Sequence, residues 1–210
     1  MFLVRKKFKM LKKIETLYIV VFLTILVFIT TAHSSENNKL ISIGDKNAKV
    51  TVKVFSSLTC PHCANFHKNI FKNLKRDFID KGTLKFEHHG FPLDLAALNA
   101  EKILGCLNSI EKRLVLLNEL YEKQNVWAVG SDINSINSKL IKMAKNYDLN
   151  DVKVGSCLDS EELEEEILNA RINGHKKYSI TSTPTIFINE KKYEGKHEYK
   201  SFKKAVEKFL

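Results

Sequence analysis

Two cysteines held two residues apart, in Cys60-Pro61-His62-Cys63, stand between a segment of strand character and a segment of helix character, and this placement constrains the chain more than any other feature. Upstream, Val50-Thr51-Val52-Lys53-Val54-Phe55 is rich in the β-branched and aromatic residues that suit a pleated strand, and Ser56 to Thr59 then turns the chain. Downstream, between Ala64 and Ile79, Phe66, Ile70, Leu74 and Phe78 recur every four residues and mark one face of a helix. Cys60 is therefore expected at or just before a helix N-terminus. Pro61 suits the first helical position, where its missing N–H costs nothing. Unpaired backbone N–H groups and the helix dipole at that point favour a thiolate over a thiol.

A second constraint is Thr181-Ser182-Thr183-Pro184-Thr185-Ile186-Phe187-Ile188-Asn189, a strand pattern that opens with proline and precedes a turn at Glu190-Lys191-Lys192. Between the two motifs the chain reads as helical. Leu95, Leu98 and Ile103 recur at helical spacing, as do Leu114, Leu117, Leu120 and Tyr121, and then Ile133, Ile136, Leu140, Met143 and Tyr147. These stripes are expected in a core. Asn108-Ser109, Gly130-Ser131-Asp132 and Asn150-Asp151 interrupt them as caps and breakers. A longer helix is expected from Glu161 to Lys177, with Leu163, Ile167, Leu168 and Ile172 on one face and an acidic run at its dipole-positive end.

Together the Cys-Pro-His-Cys motif and the proline strand resemble the thioredoxin superfamily. The order of strand, Cys-helix, strand (Leu84 to His88), long helical stretch, proline strand, short strand and final helix (Tyr199 to Phe209) is similar to that of its DsbA group of periplasmic thiol-disulfide oxidases. Gly90-Phe91-Pro92-Leu93-Asp94, at the entry to the helical stretch, is also similar. The match runs from Lys49 to Leu210. It implies an α/β thioredoxin fold in a domain over residues 35–210, with a helical insertion at about 94–160. It further implies a cis Pro184 facing the cysteines, Cys60 as nucleophile and Cys63 as its more buried partner. Pro61 and His62 count with the cysteines as catalytic positions, and His62, by its place between the two cysteines, must lie beside both sulfurs and can donate to a thiolate. The backbone at Thr183 and Pro184 would pair with an extended substrate segment. No cofactor is implied beyond the Cys60–Cys63 disulfide. The implied partners are reduced exported proteins as substrates and a quinone-linked membrane protein that reoxidises the site, with the chain acting as a monomer.

Two departures stand out. The best known oxidases carry a buried acid in the strand before the motif, whereas Val50 to Phe55 offers only Lys53. Thr183 before the proline is associated more with isomerase or reductase branches, so a disulfide isomerase or reductase is the alternative activity. Only about 14 residues separate Ser35 from the expected first strand, too few for the N-terminal oligomerisation segment of isomerase relatives.

Cys106 and Cys157 both fall in the helical insertion, each near the end of a helix. They can form a structural bridge or remain two buried free thiols; some members of the group carry an extra bridge there. A third functional class is a zinc-holding or membrane-tethered binding module, and a zinc site would need four ligands. Cys60, Cys63 and His67 could supply three, but His67 is expected to be an ordinary solvated or capping side chain, and no metal is expected.

Residues 1–34 are excluded from the fold. Arg5, Lys6, Lys7, Lys9, Lys12 and Lys13 precede a stretch from Thr16 to Ser35 without acidic or lysine and arginine residues, the pattern of a signal peptide cleaved near Ser35 or of a membrane anchor. Either outcome places the redox domain outside the cytoplasm, in the periplasm. Of 34 basic and 24 acidic residues, six basic and one acidic precede Ser35, so the net +10 falls to +5 for the remainder. That remainder has no long basic run and no phosphate-cradling glycine loop, and no nucleic-acid partner is expected.

Overall fold

The computed structural model describes residues 40–210, and the expected export or anchor segment over 1–34 lies outside the described residues. Five strands, β1 (Ile41–Ile43), β2 (Val50–Ser56), β3 (Leu84–Gly90), β4 (Thr185–Ile188) and β5 (Lys191–Lys192), form one mixed sheet in the order β1-β3-β2-β4-β5. Only β2 and β3 run parallel, with Val54 opposite His88 and Ser56 opposite Gly90. The other three pairings are antiparallel. A parallel pair needs a crossover, and helix α1 supplies it. It begins at Pro61–Phe66 and continues through His67–Phe71, Lys72–Leu74 and Lys75–Ile79, the second and fourth segments with π-type hydrogen bonding.

Between β3 and β4 lie α2 (Leu95–Gly105), α3 (Ile110–Glu122), α4 (Gln124–Trp127), α5 (Ile133–Ala144), α6 (Asp151–Leu158) and α7 (Glu161–Tyr178); α8 (Tyr199–Glu207) ends the chain. The short polar side chains between these helices cap them. Asp94, Ser109, Asp132, Asn150 and Ser160 each accept a hydrogen bond from a backbone N–H in the first turn that follows. Each such cap is worth roughly 1 kcal/mol.

Alternation along β2 divides the core. Val50, Val52 and Val54 face Phe66, Ile70, Phe71 and Leu74 of α1 and Phe202 and Val206 of α8. Phe55 points to the other side and packs with Phe91, Tyr178, Ile180 and Phe187 beneath α7. There the backbone of α7 approaches so closely that a Cβ on Gly174 would lie 2.9 Å from the Phe55 ring. Lys53, on the same side of β2, is satisfied by Glu190 and by the Tyr178 hydroxyl. A third cluster fills the helical insertion around the fully buried Trp127 and reaches both Cys60 and Cys63. The insertion thus forms one wall of the cysteine site.

The structure differs from the sequence expectations at several points. An edge strand, β1, precedes the expected first strand; its three residues are too few to show a pattern, and it forms by pairing with β3. The proline segment is a loop until Thr185, where β4 starts. Leu95 is 54% exposed because Asp94 caps α2 and leaves its first residue outside the packed layer. Ile172 is 43% exposed, since α7 meets the sheet through Gly174 instead. His67 is not solvated: it is 4% exposed, stacks on Phe71 at 4.3 Å and bonds Asn118 of α3 at 2.5 Å. The face of α1 that it occupies is covered by the insertion, and burial pulls its pKa down to about 3, so it stays neutral.

Cys106, just after α2, and Cys157 in α6 are joined as a disulfide with Cα atoms 6.1 Å apart, spanning 51 residues. On the chain-entropy argument a closed loop of that length is worth up to about 4 kcal/mol. Cys106→Ala/Cys157→Ala protein is therefore expected to unfold at lower denaturant concentration, with a loss of stability of no more than about 4 kcal/mol. An unchanged midpoint would show that the bridge does not hold the insertion together.

Candidate active site

Cys60 is the last residue before α1. Its backbone is extended, with φ −77° and ψ 120°, and Pro61 is the first helical residue. Its carbonyl accepts from the N–H groups of Cys63 and Ala64 at 3.1 and 3.2 Å, closing the first helical turn. The one-turn spacing of the motif sets the two sulfurs side by side, both as free thiols. Their surroundings differ. Cys60 is 8% exposed, at the surface end of the helix, while Cys63 is 1% exposed and faces the insertion core.

This asymmetry separates their acidities. Hydrogen bonding from the Cys63 thiol stabilises the Cys60 thiolate most strongly; partial burial opposes it, and Thr183 and the backbone N–H groups of Cys63 and His62 add to it. The result is a Cys60 pKa lowered from an ordinary 9.0 to about 5. Burial, followed by the hydrogen bond to Cys60 and its charge, pushes Cys63 far above the same ordinary value. At neutral pH the pair holds one thiolate and one thiol. His62 acts on Cys60 through its backbone N–H, and its imidazole is exposed.

The peptide bond between Thr183 and Pro184 is cis, and the Thr183 carbonyl lies 3.3 Å from the Cys60 sulfur. The Thr183 hydroxyl is buried, has no hydrogen-bond partner of normal geometry among the described residues, and acts on both sulfurs. A hydroxyl so placed can donate to the thiolate. Cys60, Cys63, Thr183 and Pro184, separated by some 120 residues, thus meet in one place, whereas Cys106 and Cys157 form their bridge in the insertion. His67 turns away to Asn118, and among the described residues no three His, Cys, Asp or Glu side chains are grouped to hold a metal.

Two supports were not apparent from the sequence. Gln124, at the start of α4, donates through its side-chain amide to the carbonyls of Leu58 at 2.7 Å and Cys60 at 3.1 Å, tying the cysteine turn to the insertion. Asp94 caps α2 with one carboxylate oxygen and accepts from the Thr59 hydroxyl at 2.7 Å with the other. A glutamine among polar helix residues carries no signal of this role. Asp94 was named in the sequence only as part of the Gly90-to-Asp94 entry to the insertion, and neither its capping of α2 nor its hold on the turn was read there.

Comparison with known proteins places this geometry in context. The thioredoxin family model matches residues 36–208. Disulfide bond formation protein D of Bacillus subtilis is 29% identical, with 80% of this chain and 76% of that protein covered. A Rickettsia typhi relative named as a protein-disulfide oxidoreductase is 25% identical over 83% of this chain; the chain spans 63% of that relative's length. Among solved structures, Wolbachia pipientis alpha-DsbA1 superposes with a TM-score of 0.74 at 26% identity, covering 81% of this chain and 90% of that one. Oxidised BdbD of Bacillus subtilis gives 0.63 at 26% identity, covering 81% and 92%. With the family matched over nearly the whole described chain and these neighbours sharing its sheet and inserted helices, the chain belongs to the thioredoxin family, in its DsbA-type group.

Proposed function

We propose that this chain is a thiol-disulfide oxidase that gives its Cys60–Cys63 disulfide to reduced proteins exported from the cytoplasm. The observation that carries the proposal is the separation of the two acidities, with Cys60 held at about 5 and Cys63 driven far upward. In thiol exchange the most stabilised thiolate leaves most readily, and a site that favours its reduced form is an oxidant. A substrate thiolate attacks the more accessible Cys60 sulfur, the Cys60–Cys63 bond breaks, and its electron pair passes to Cys63, which ends as the buried thiol. A second substrate thiolate then attacks the substrate sulfur of the mixed disulfide. Cys60 leaves as its stabilised thiolate, and the substrate departs with a new disulfide.

The Thr183–Pro184 backbone supplies the edge along which an extended substrate segment aligns beside Cys60. Export rests on the sequence of residues 1–34, and a quinone-linked membrane partner is the proposed acceptor of the electrons. The redox chemistry itself needs only the two sulfurs.

Cys60→Ser protein is expected to lose oxidation of a reduced, unfolded substrate altogether, and Cys63→Ser protein to accumulate mixed disulfides through Cys60, identified by peptide mapping without reduction. Adducts formed through Cys63 would reverse the assignment. Thr183→Val removes a donor from the thiolate while preserving shape. A hydrogen bond to a charged group is worth about 1.5 kcal/mol, so the reduction potential should become more reducing by roughly 30 mV in equilibrium with glutathione. A potential unchanged or more oxidising would mean that Thr183 does not stabilise the thiolate.

A further inference from the structure

The exchange described above accounts for the donors that reach the Cys60 sulfur, but not for the side chain that takes up the carbonyls beside it. Gln124 is the first residue of α4 and comes from the insertion, 64 residues along the chain from Cys60. Its amide nitrogen lies 2.7 Å from the Leu58 carbonyl oxygen and 3.1 Å from that of Cys60. A side-chain amide has two N–H donors, one for each of these carbonyls.

Both ends of this contact are fixed. Ser57 to Cys60 form a tight turn, closed by the Cys60 N–H on the Ser57 carbonyl at 3.2 Å, and Leu58 within it is fully buried. On the other side, α4 is a single turn pinned by the fully buried Trp127, whose ring N–H donates to the Leu120 carbonyl at 2.7 Å. The backbone N–H groups of Val126 and Trp127 both return to the Lys123 carbonyl, at 2.8 and 3.1 Å. Gln124 therefore reaches the cysteine turn from a rigid base, which is what holding a reactive group in one geometry requires.

The carbonyl oxygen of Cys60 stands only four covalent bonds from the sulfur of the same residue. It is the negative end of a peptide dipole, and the Leu58 carbonyl belongs to the same turn. Negative oxygens in such places oppose a thiolate, and a donor that engages them weakens the opposition. The Cys63 and Ala64 N–H groups also reach the Cys60 carbonyl, at 3.1 and 3.2 Å, but they belong to the first turn of α1 itself. Gln124 is the donor that the insertion adds. We propose that Gln124 is a positioning residue of the redox site: by engaging the Leu58 and Cys60 carbonyls it favours the reduced pair and makes the Cys60–Cys63 disulfide a stronger oxidant. The role rests on the exchange proposed for Cys60, and it sets how far that exchange lies toward the reduced protein.

The test is the equilibrium of the Cys60–Cys63 pair with glutathione at neutral pH, read by alkylation and peptide mapping of those two cysteines. Denaturant midpoints of the oxidised and reduced forms are measured alongside. Gln124→Met keeps the length of the side chain without its donors, and Gln124→Asn keeps the amide but is too short to span both carbonyls. Each is expected to shift the equilibrium about threefold toward the disulfide, the low end of what a hydrogen bond contributes, or roughly 15 mV toward a more reducing potential. The reduced form should lose more stability than the oxidised form by the same factor. If Gln124→Met does not fold, Gln124→Asn decides alone. A group that merely joins the insertion to the turn would weaken both redox forms equally. An equilibrium within about 1.5-fold of wild type, or one shifted toward the dithiol, would therefore overturn the proposal, whatever the loss of stability. The oxidase reading is decided separately, by whether the wild-type protein oxidises a reduced substrate; the role of Gln124 is decided by the difference between variant and wild type.

Discussion

One sulfur is held charged at the start of a helix while its partner, one turn further on, is forced to remain neutral. The backbone N–H groups of His62 and Cys63, the Cys63 thiol and Thr183 all act on Cys60, and together they outweigh its partial burial. Because the folded pKa lies below the unfolded one, the Cys60 thiolate stabilises the reduced fold fully above about pH 9, less as pH falls, and not at all below about 5. Cys63 has the opposite sign. Its raised value contributes nothing within that window and weighs against the fold only once an unfolded thiol would ionise, above about 9. Over that range the thiolate favours the reduced form, which is the condition under which the proposed oxidase gives its disulfide away.

The remainder of the architecture keeps this arrangement in place. The valines of β2 fix the strand that delivers the cysteine turn, and α1 buries its apolar face on them. The turn itself is held from the insertion side by Gln124 and Asp94, and across the gap by the Thr183–Pro184 loop. The insertion therefore supplies anchors to the cysteine turn and the wall behind Cys63, and the Cys106–Cys157 bridge pins two of its own segments.

What was legible in the sequence was what local pattern encodes. Alternating Val residues, a four-residue apolar repeat and a proline at the first helical position lie within thirty residues of each other, so β2, α1 and the place of Cys60 could be read together. The caps Ser109, Asp132 and Asn150 were readable for the same reason. The features that escaped depend on tertiary packing. Ile41–Ile43 become a strand only by pairing with β3, and Gly174 faces the sheet because Phe55 fits beneath it. His67 follows Cys63 by four residues and precedes Ile70 by three, a buried position once the insertion covers that side of α1. Glu101 and His88 carried no motif at all. Their pairing arises where α2 crosses the end of β3.

The most direct test of the account is the ionisation of Cys60 in the reduced protein, followed through the ultraviolet absorbance of the thiolate as pH is varied. Cys63 stays a thiol over the accessible range, so the transition belongs to Cys60. The expected result is a single transition with its midpoint near pH 5. A midpoint near an ordinary thiol value of 9.0 would contradict the account, because the helix start would then confer no preference for the reduced form.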